Sequence, residues 1–267
     1  MQEKQSLNLS TAIIFAAIIV AGGLFFGLKS SDNGGSKITT TTGVGKIDIR
    51  LLDDSDYILG SPDADITLIE YSDLECPACK FFEGSLEQTL DKYGKDGTFA
   101  WVYRQFPLTS LHSQAIKESE AILCAGKLGG NNSYWDLVNK IFEVTPSNNG
   151  LDLAKLPDYA VSIGLDKAEF EECLNSGEMI ERIQAEYNEA VMAEAGGTPF
   201  SILVLKKPLS KDEITSFESY AKLKGLAGAI NGNLVEVKNG GKIITLGAAL
   251  YPDDLVELVG KLINRNF

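Results

Sequence analysis

The chain has 267 residues, 44% of them hydrophobic and 23% charged, the make-up of a folding protein rather than a disordered one. A core of that size holds without covalent staples, so the four cysteines call for a chemical explanation. The formal net charge of −13 argues against a nucleic-acid partner, because a phosphate-binding surface is built of Lys and Arg.

Residues 1–10 form a short tail. Residues 11–28 (TAIIFAAIIVAGGLFFGL) contain no charged side chain. As a helix they rise about 27 Å, enough to cross the hydrocarbon of a bilayer. They read as an uncleaved transmembrane anchor. A secretory signal has an apolar run of only about 7–15 residues, and no A-x-A cleavage site follows here. A cleaved signal and a buried soluble helix are the alternatives. The flanking charges do not orient the span, since Lys4 is offset by Glu3 and lysines also follow at 29, 37 and 46. Residues 29–46 lack aromatic residues and almost any large apolar one, and read as a tether about 20 Å in root-mean-square span. The folded domain is expected over 47–267.

Ile66 to Tyr71 (ITLIEY) is a short β-branched run that reads as a buried strand. It leads through Ser72-Asp73-Leu74-Glu75 into Cys76-Pro77-Ala78-Cys79 and a helix to about Tyr93. Phe99 to Phe106 reads as a second strand. From about 110 to 195 no comparable strand occurs, and a helical insertion is expected. There Ile180, Ile183, Tyr187 and Val191 recur at helical spacing and predict an apolar stripe. Phe200 to Leu205 (FSILVL) is a third strand. Asn239-Gly240 is a hairpin signal between LVEVK and KIITL, and Leu255, Val259 and Leu262 mark a closing amphipathic helix. This order is that of an α/β fold with a helical insertion; no internal repeat is present.

The Cys76-Pro77-Ala78-Cys79 run stands where a strand hands over to a helix. Pro77 at the first helical position loses nothing by its missing N–H. Cys76 then falls at the N-cap, facing unpaired N–H groups and the positive end of the helix dipole. Both favour the thiolate, the nucleophile of disulfide exchange. Cys79, three residues on, shares the helical face and can close a disulfide with it. A zinc site would need two further ligands, and the chain offers one histidine, His112, and two cysteines with no second CxxC spacing. Redox chemistry is therefore expected, with no metal and no cofactor.

The ordered motifs Gly60-Ser61-Pro62-Asp63-Ala64, Glu70 to Cys79, Arg104-Gln105-Phe106-Pro107-Leu108, Cys124-Ala125-Gly126 and Gly197-Thr198-Pro199 resemble those of the DsbA-like disulfide oxidoreductases. The resemblance covers about residues 55–205 and the last helix. It implies a thioredoxin-like fold with a helical insertion, and disulfide formation in exported proteins. The nucleophile then falls on Cys76, its buried partner on Cys79, and the cis-proline on Pro199, with Thr198 against Cys76. The resemblance also places the family's buried acid at Glu70, where it would relay a proton for Cys79; an outward-facing strand residue is the plainer alternative. Cys124 and Cys173, each on a predicted helix of the insertion, are either two ordinary thiols or, as an even cysteine count in an exported chain favours, a structural disulfide.

Two features depart from the pattern. The pair between the cysteines is Pro-Ala, without a histidine to assist the thiolate, and residues 206–232 lengthen a usually short connection for which the sequence suggests no role. His112, near an expected helix start, reads as a surface or capping residue. The Trp101 and Trp135 side chains read as core. The implied partners are reduced exported polypeptides and a membrane redox partner that reoxidises the cysteine pair. The implied setting is a single-pass cell-membrane protein with its catalytic domain outside the cytoplasm. A disulfide reductase or isomerase, or a redox-inert tethered chaperone, are the competing readings.

Overall fold

The computed structural model describes residues 45–226 and 234–267. The expected tail, the anchor over 11–28 and nearly all of the tether lie outside these residues, as does part of the 206–232 segment. Among the described residues no helix is long and apolar enough to cross a membrane.

Two strands fully buried along their length, β2 (Ile66–Ser72) and β3 (Phe99–Gln105), form the centre of the fold. They pair in parallel, Ile66 opposite Phe99 through Ser72 opposite Gln105. Between them runs helix α1 (Pro77–Tyr93), the crossover that a parallel pair requires. A short strand the sequence did not signal, β1 (Ile58–Gly60), pairs antiparallel with the outer side of β3. Its three residues are too few to show a period of two. On the other side β4 (Phe200–Leu205) pairs antiparallel with β2, and the hairpin β5 (Val235–Lys238) and β6 (Ile243–Leu246) completes the sheet. The strand order is β1-β3-β2-β4-β6-β5.

The insertion is helical. Helix α2 (Ala115–Val144) breaks its regular course at Gly130, where φ is 75°, a conformation that glycine adopts without penalty. After it come α3 (Leu156–Ser162), α4 (Lys167–Ser176) and α5 (Ile180–Met192); α2, α3 and α4 pack on one another. Residues 206–232 contain a helix, α6 (Lys211–Leu223), opened by a capping box in which Ser210 Oγ accepts from Glu213 N and Glu213 Oε2 accepts from Ser210 N. It buries Phe217, Tyr220 and Ala221. Helix α7 (Pro252–Asn264) packs on α1 through Leu255, Leu258, Val259 and Leu262.

Side-chain alternation along the strands sorts the core into two layers. Ile66, Leu68, Phe99, Trp101, Tyr103, Leu203 and Leu205 face α1, α7 and the insertion. Ile69, Tyr71, Val102, Phe200 and Ile202 face the opposite side, where α5 lies. Trp101 and Trp135 pack with centroids 4.6 Å apart and their rings tilted by 56°.

The expected apolar stripe on α5 is only half present. Ile183 and Tyr187 pack inward, but Ile180 and Val191 are exposed, and the buried face carries Glu186 and Glu189. The reason is a guanidinium in the sheet. Arg104 of β3 is fully buried, and it binds Asp56 at 2.9 Å and Glu189 at 3.0 Å while donating to the Tyr71 hydroxyl and the Arg50 carbonyl. Arg50 also binds Asp56 and Glu189, each at 3.0 Å. Carboxylates are buried on α5 because cations wait for them there.

Cys124 of α2 and Cys173 of α4 are joined by a disulfide that closes a separation of 49 residues. Closing a loop of that length removes unfolded-chain entropy equivalent to about 4 kcal/mol in the chain-entropy treatment. Replacing both cysteines by Ala should therefore lower the unfolding free energy by up to about that amount, with alkylation of Cys76 unchanged. Paired urea titrations of the native and double-Ala proteins check it; equal midpoints would contradict it.

Candidate active site

The site is assembled at the end of β2. After Ser72 the chain turns on Asp73, whose Oδ1 accepts from Glu75 N at 2.9 Å and whose carbonyl accepts from Cys76 N at 3.0 Å. Short acidic side chains favour such turns because they bond their own backbone two residues on. Cys76 is the N-cap of α1, in extended conformation, with Pro77 following. Across from it the Thr198–Pro199 bond that opens β4 is cis, and Cys76 Sγ donates to the Thr198 carbonyl at 3.5 Å. The chain reverses before this bond at Glu194 (φ 66°), where α5 closes through Ala195 N to Ala190 O at 3.0 Å.

Cys76 and Cys79 are both unbonded in this structure and differ sharply in setting. Cys79 is completely buried and Cys76 is 7% exposed. Burial pushes the Cys79 thiol well above its ordinary range, and its hydrogen bond to Cys76 and the charges of Cys76 and Glu70 push it further. Cys76 is held down at about 6, chiefly by the hydrogen bond from Cys79. Its own partial burial opposes this, while the Thr198 side chain and the N–H groups of Cys79 and Ala78 reinforce it. The Thr198 hydroxyl is buried without another protein partner, so its proton is free to turn toward a charged sulfur.

Glu70 faces inward. It follows Ile66 and Leu68 on the α1 side of β2 and is 1% exposed. Burial raises its carboxyl to about 8, against hydrogen bonds from Ser72 Oγ at 2.8 Å and Trp101 Nε1 at 3.1 Å. Ser72 also bonds Cys79, so one hydroxyl stands between the acid and the buried thiol. Sequence reasoning missed Ser72 and gave Trp101 only a packing role. The signal for Ser72 was its spacing, two residues beyond Glu70 on the same strand face. Glu83, one helical turn after Cys79, is also buried and raised to about 9, mainly by burial, with Glu87 and Glu70 adding to it.

His112 is not a surface or capping residue. It is 6% exposed, and its Nδ1 lies 2.8 Å from Asp73 Oδ2, which also accepts from Leu108 N. The motif Phe106-Pro107-Leu108 brings its loop back beneath the Asp73 turn, a long-range approach that local capping logic cannot anticipate.

A family model described as Thioredoxin matches residues 53–217. Among solved structures, the chain is similar to alpha-DsbA1 of Wolbachia pipientis, with a TM-score of 0.56 and 20% identity, covering 80% of this chain and 96% of that one. It is also similar to oxidised BdbD of Bacillus subtilis, with a TM-score of 0.53 and 20% identity, covering 68% and 98% respectively. These likenesses establish the fold. Among curated proteins, the Na(+)/H(+) antiporter NhaA 1 of Mycolicibacterium gilvum is 28% identical over 146 residues, 54% of this chain and 22% of the antiporter. The matched stretch thus spans about a fifth of that relative's length.

Two outcomes are expected from this geometry. In the reduced protein, alkylation should take Cys76 with a half-point near pH 6 and leave Cys79 unlabelled until unfolding, as peptide mass mapping would show; faster labelling of Cys79 would contradict it. For Glu70, the carboxyl titrates near 4.5 when unfolded and about 8 when folded. The native state therefore binds the extra proton between those values, and stability falls as pH rises through the window, by at most about 1.4 kcal/mol per pH unit. Glu70→Gln, fixed in the neutral form, should gain stability relative to the native protein from pH 4.5 to pH 8 and no more above it. Urea titrations at either end of the window measure the gain. A constant difference would mean Glu70 is ionised throughout.

Proposed function

The chain belongs to the thioredoxin family, and from that premise we propose that it is a thiol–disulfide oxidoreductase that introduces disulfides into exported polypeptides. The observation that carries the reading is the opposed pair of thiols: an acidic Cys76 at the mouth of the site and a shielded Cys79 that keeps its proton.

The exchange runs in two displacements. With Cys76 and Cys79 joined, a substrate thiolate attacks Cys76 Sγ; a mixed disulfide forms and Cys79 leaves as a thiolate. Cys79 is too deeply buried to hold that charge cheaply, and the protonated Glu70, with Ser72 between them, is placed to supply a proton. A second substrate thiolate then attacks the substrate's own sulfur in the mixed disulfide, and Cys76 leaves as a thiolate stabilised by Cys79, Thr198 and the α1 amides. The substrate loses two electrons and, to solvent, two protons; the enzyme is left reduced, with Cys79 a thiol and Cys76 a thiolate, and Glu70 recovers its proton from solvent. Thr198 and Pro199 take the role of the wall beside Cys76 against which an extended substrate lies. The Cys124–Cys173 disulfide, buried in the insertion, serves stability and does not turn over.

Stabilising the departing thiolate stabilises the reduced form, which makes the disulfide a better oxidant. That favours the oxidase direction over reduction or isomerisation. It also calls for a partner that withdraws two electrons from the dithiol, and the uncharged run at 11–28 supports placing both in or at the cell membrane, with the catalytic domain on the extracytoplasmic side.

The reduction potential of the Cys76–Cys79 couple tests the reading. Equilibration with glutathione, followed by acid quench and mass analysis, should place it well above the roughly −270 mV of a reducing thioredoxin. A value at or below that figure would make the protein a reductase, and failure to exchange at all would leave only a binding role.

A further inference from the structure

Behind Cys76 lies a second acid pair that the exchange chemistry leaves unused. Glu75, the residue before the thiol, and Glu118, in the first turn of α2, are both fully buried. Glu75 is gripped on one side by the loop after α2, where Ser147, Asn148 and Asn149 adopt φ of 62°, 53° and 63° in succession. Such a run is uncommon for residues other than glycine. It turns two amides toward Glu75: Asn148 N donates to its carbonyl at 2.9 Å, and Asn149 N donates to its Oε2.

On the other side the pair is short of donors. Glu75 Oε1 and both carboxyl oxygens of Glu118 are buried and receive no N–H or O–H from any described group. Two carboxylates left so would carry a heavy desolvation penalty. Lys117, the nearest cation along α2, is engaged with Glu120 at 2.7 Å and the Leu174 carbonyl at 2.9 Å. Asp73, on the Glu75 loop, adds only negative charge and is itself bonded to His112. The two carboxyls lie within hydrogen-bonding reach of one another, so one proton on Glu118, donated to Glu75, pairs two of the three orphaned oxygens and removes one of the two buried charges.

We propose that Glu118, as a neutral acid donating to Glu75, is a positioning residue for the reactive thiol: it clamps the side chain next to Cys76 and so fixes the turn that aims Cys76 Sγ at its hydrogen-bond donors. The inference rests on the reading of Cys76 as the exchanging thiol. Burial, the hydrogen bond to Glu75 and the charges of Glu75 and Asp73 raise the Glu118 carboxyl to about 10, so the clamp holds through the neutral range. It also gives the insertion a hold on the thiol, exerted through Glu75.

The test compares Glu118→Gln, which keeps a neutral donor, with Glu118→Leu, which does not. The half-point of Cys76 alkylation should stay in place in the Gln variant and rise by about half a pH unit in the Leu variant, the scale of one neutral hydrogen bond. That is about a threefold loss of thiolate at a pH below the half-point. A Leu variant that melts earlier but titrates like the native protein would reduce Glu118 to a packing role and overturn the inference. Should the Leu variant not fold, the infrared difference between native and Glu118→Gln proteins at neutral pH decides. It should contain the C=O stretch of a protonated carboxyl, and its absence overturns the inference. An ordinary, non-acidic Cys76 in the native protein would instead defeat the exchange reading beneath it.

Discussion

The hydrogen bond from Cys79 to Cys76 is the interaction on which the site depends, and it works because Cys79 is dry. A buried thiol resists ionisation, so Cys79 retains a proton that it can share with its neighbour. The less deeply buried sulfur of Cys76, at a helix N-terminus, accepts it and ionises more readily. Most of the surrounding fold serves this asymmetry. Helices α1 and α7 pack together over the α1 side of the sheet, Phe82 and Leu86 fill the space behind Cys79, and Ser85 Oγ donates to the Leu250 carbonyl at 2.8 Å. Solvating Cys79 would remove the contrast even with both cysteines in place.

The two faces of the sheet bury their charges in opposite ways. On the α5 side, Arg104 and Arg50 meet Asp56 and Glu189, and opposite charges compensate one another. On the α1 side burial outweighs what charge compensation there is, Lys80 beside Glu83 included, and pushes Glu70, Glu83 and Glu118 upward. These groups keep protons instead of partners. The first arrangement braces α5 and the segment that carries Arg50 and Asp56 against the sheet. The second keeps a proton on Glu70, the acid that acts on Cys79 and whose proton the exchange can use. Charge pairing thus builds structure on one face, while proton retention prepares reactivity on the other.

The insertion is more than a lid over the core. Its disulfide ties α2 to α4, and its loops return to the site at several points. Lys80 Nζ donates to the Thr145 carbonyl at 2.6 Å, and Asn148 and Asn149 donate to Glu75. His112, just before α2, supports the Asp73 turn. The strand-to-helix junction that carries the cysteines is therefore held from two sides, by the sheet and by the insertion.

Local chemistry made much of this legible in the sequence. The β-branched run before Cys76, proline at the first helical position and the hairpin signal at Asn239-Gly240 each act within a few residues, and strand, helix and hairpin follow from them. Period-two alternation already put Glu70 in register with Ile66 and Leu68. What the chain could not announce were contacts made across it. Whether Glu70 faced water or core depended on α1 and the insertion covering that face. His112 and Asp73 are 39 residues apart, and neither has a local reason to be buried. The stripe on α5 misled because apolar spacing marks one helical face, whereas the face actually buried was chosen by Arg104 in a distant strand. The capping box of α6 was present at Ser210 and Glu213, but its packing partner was not. Secondary structure and the reactive pair are fixed by neighbours in sequence; the protonation of the buried acids is fixed by neighbours in space, because desolvation and hydrogen bonding depend on what the fold brings alongside.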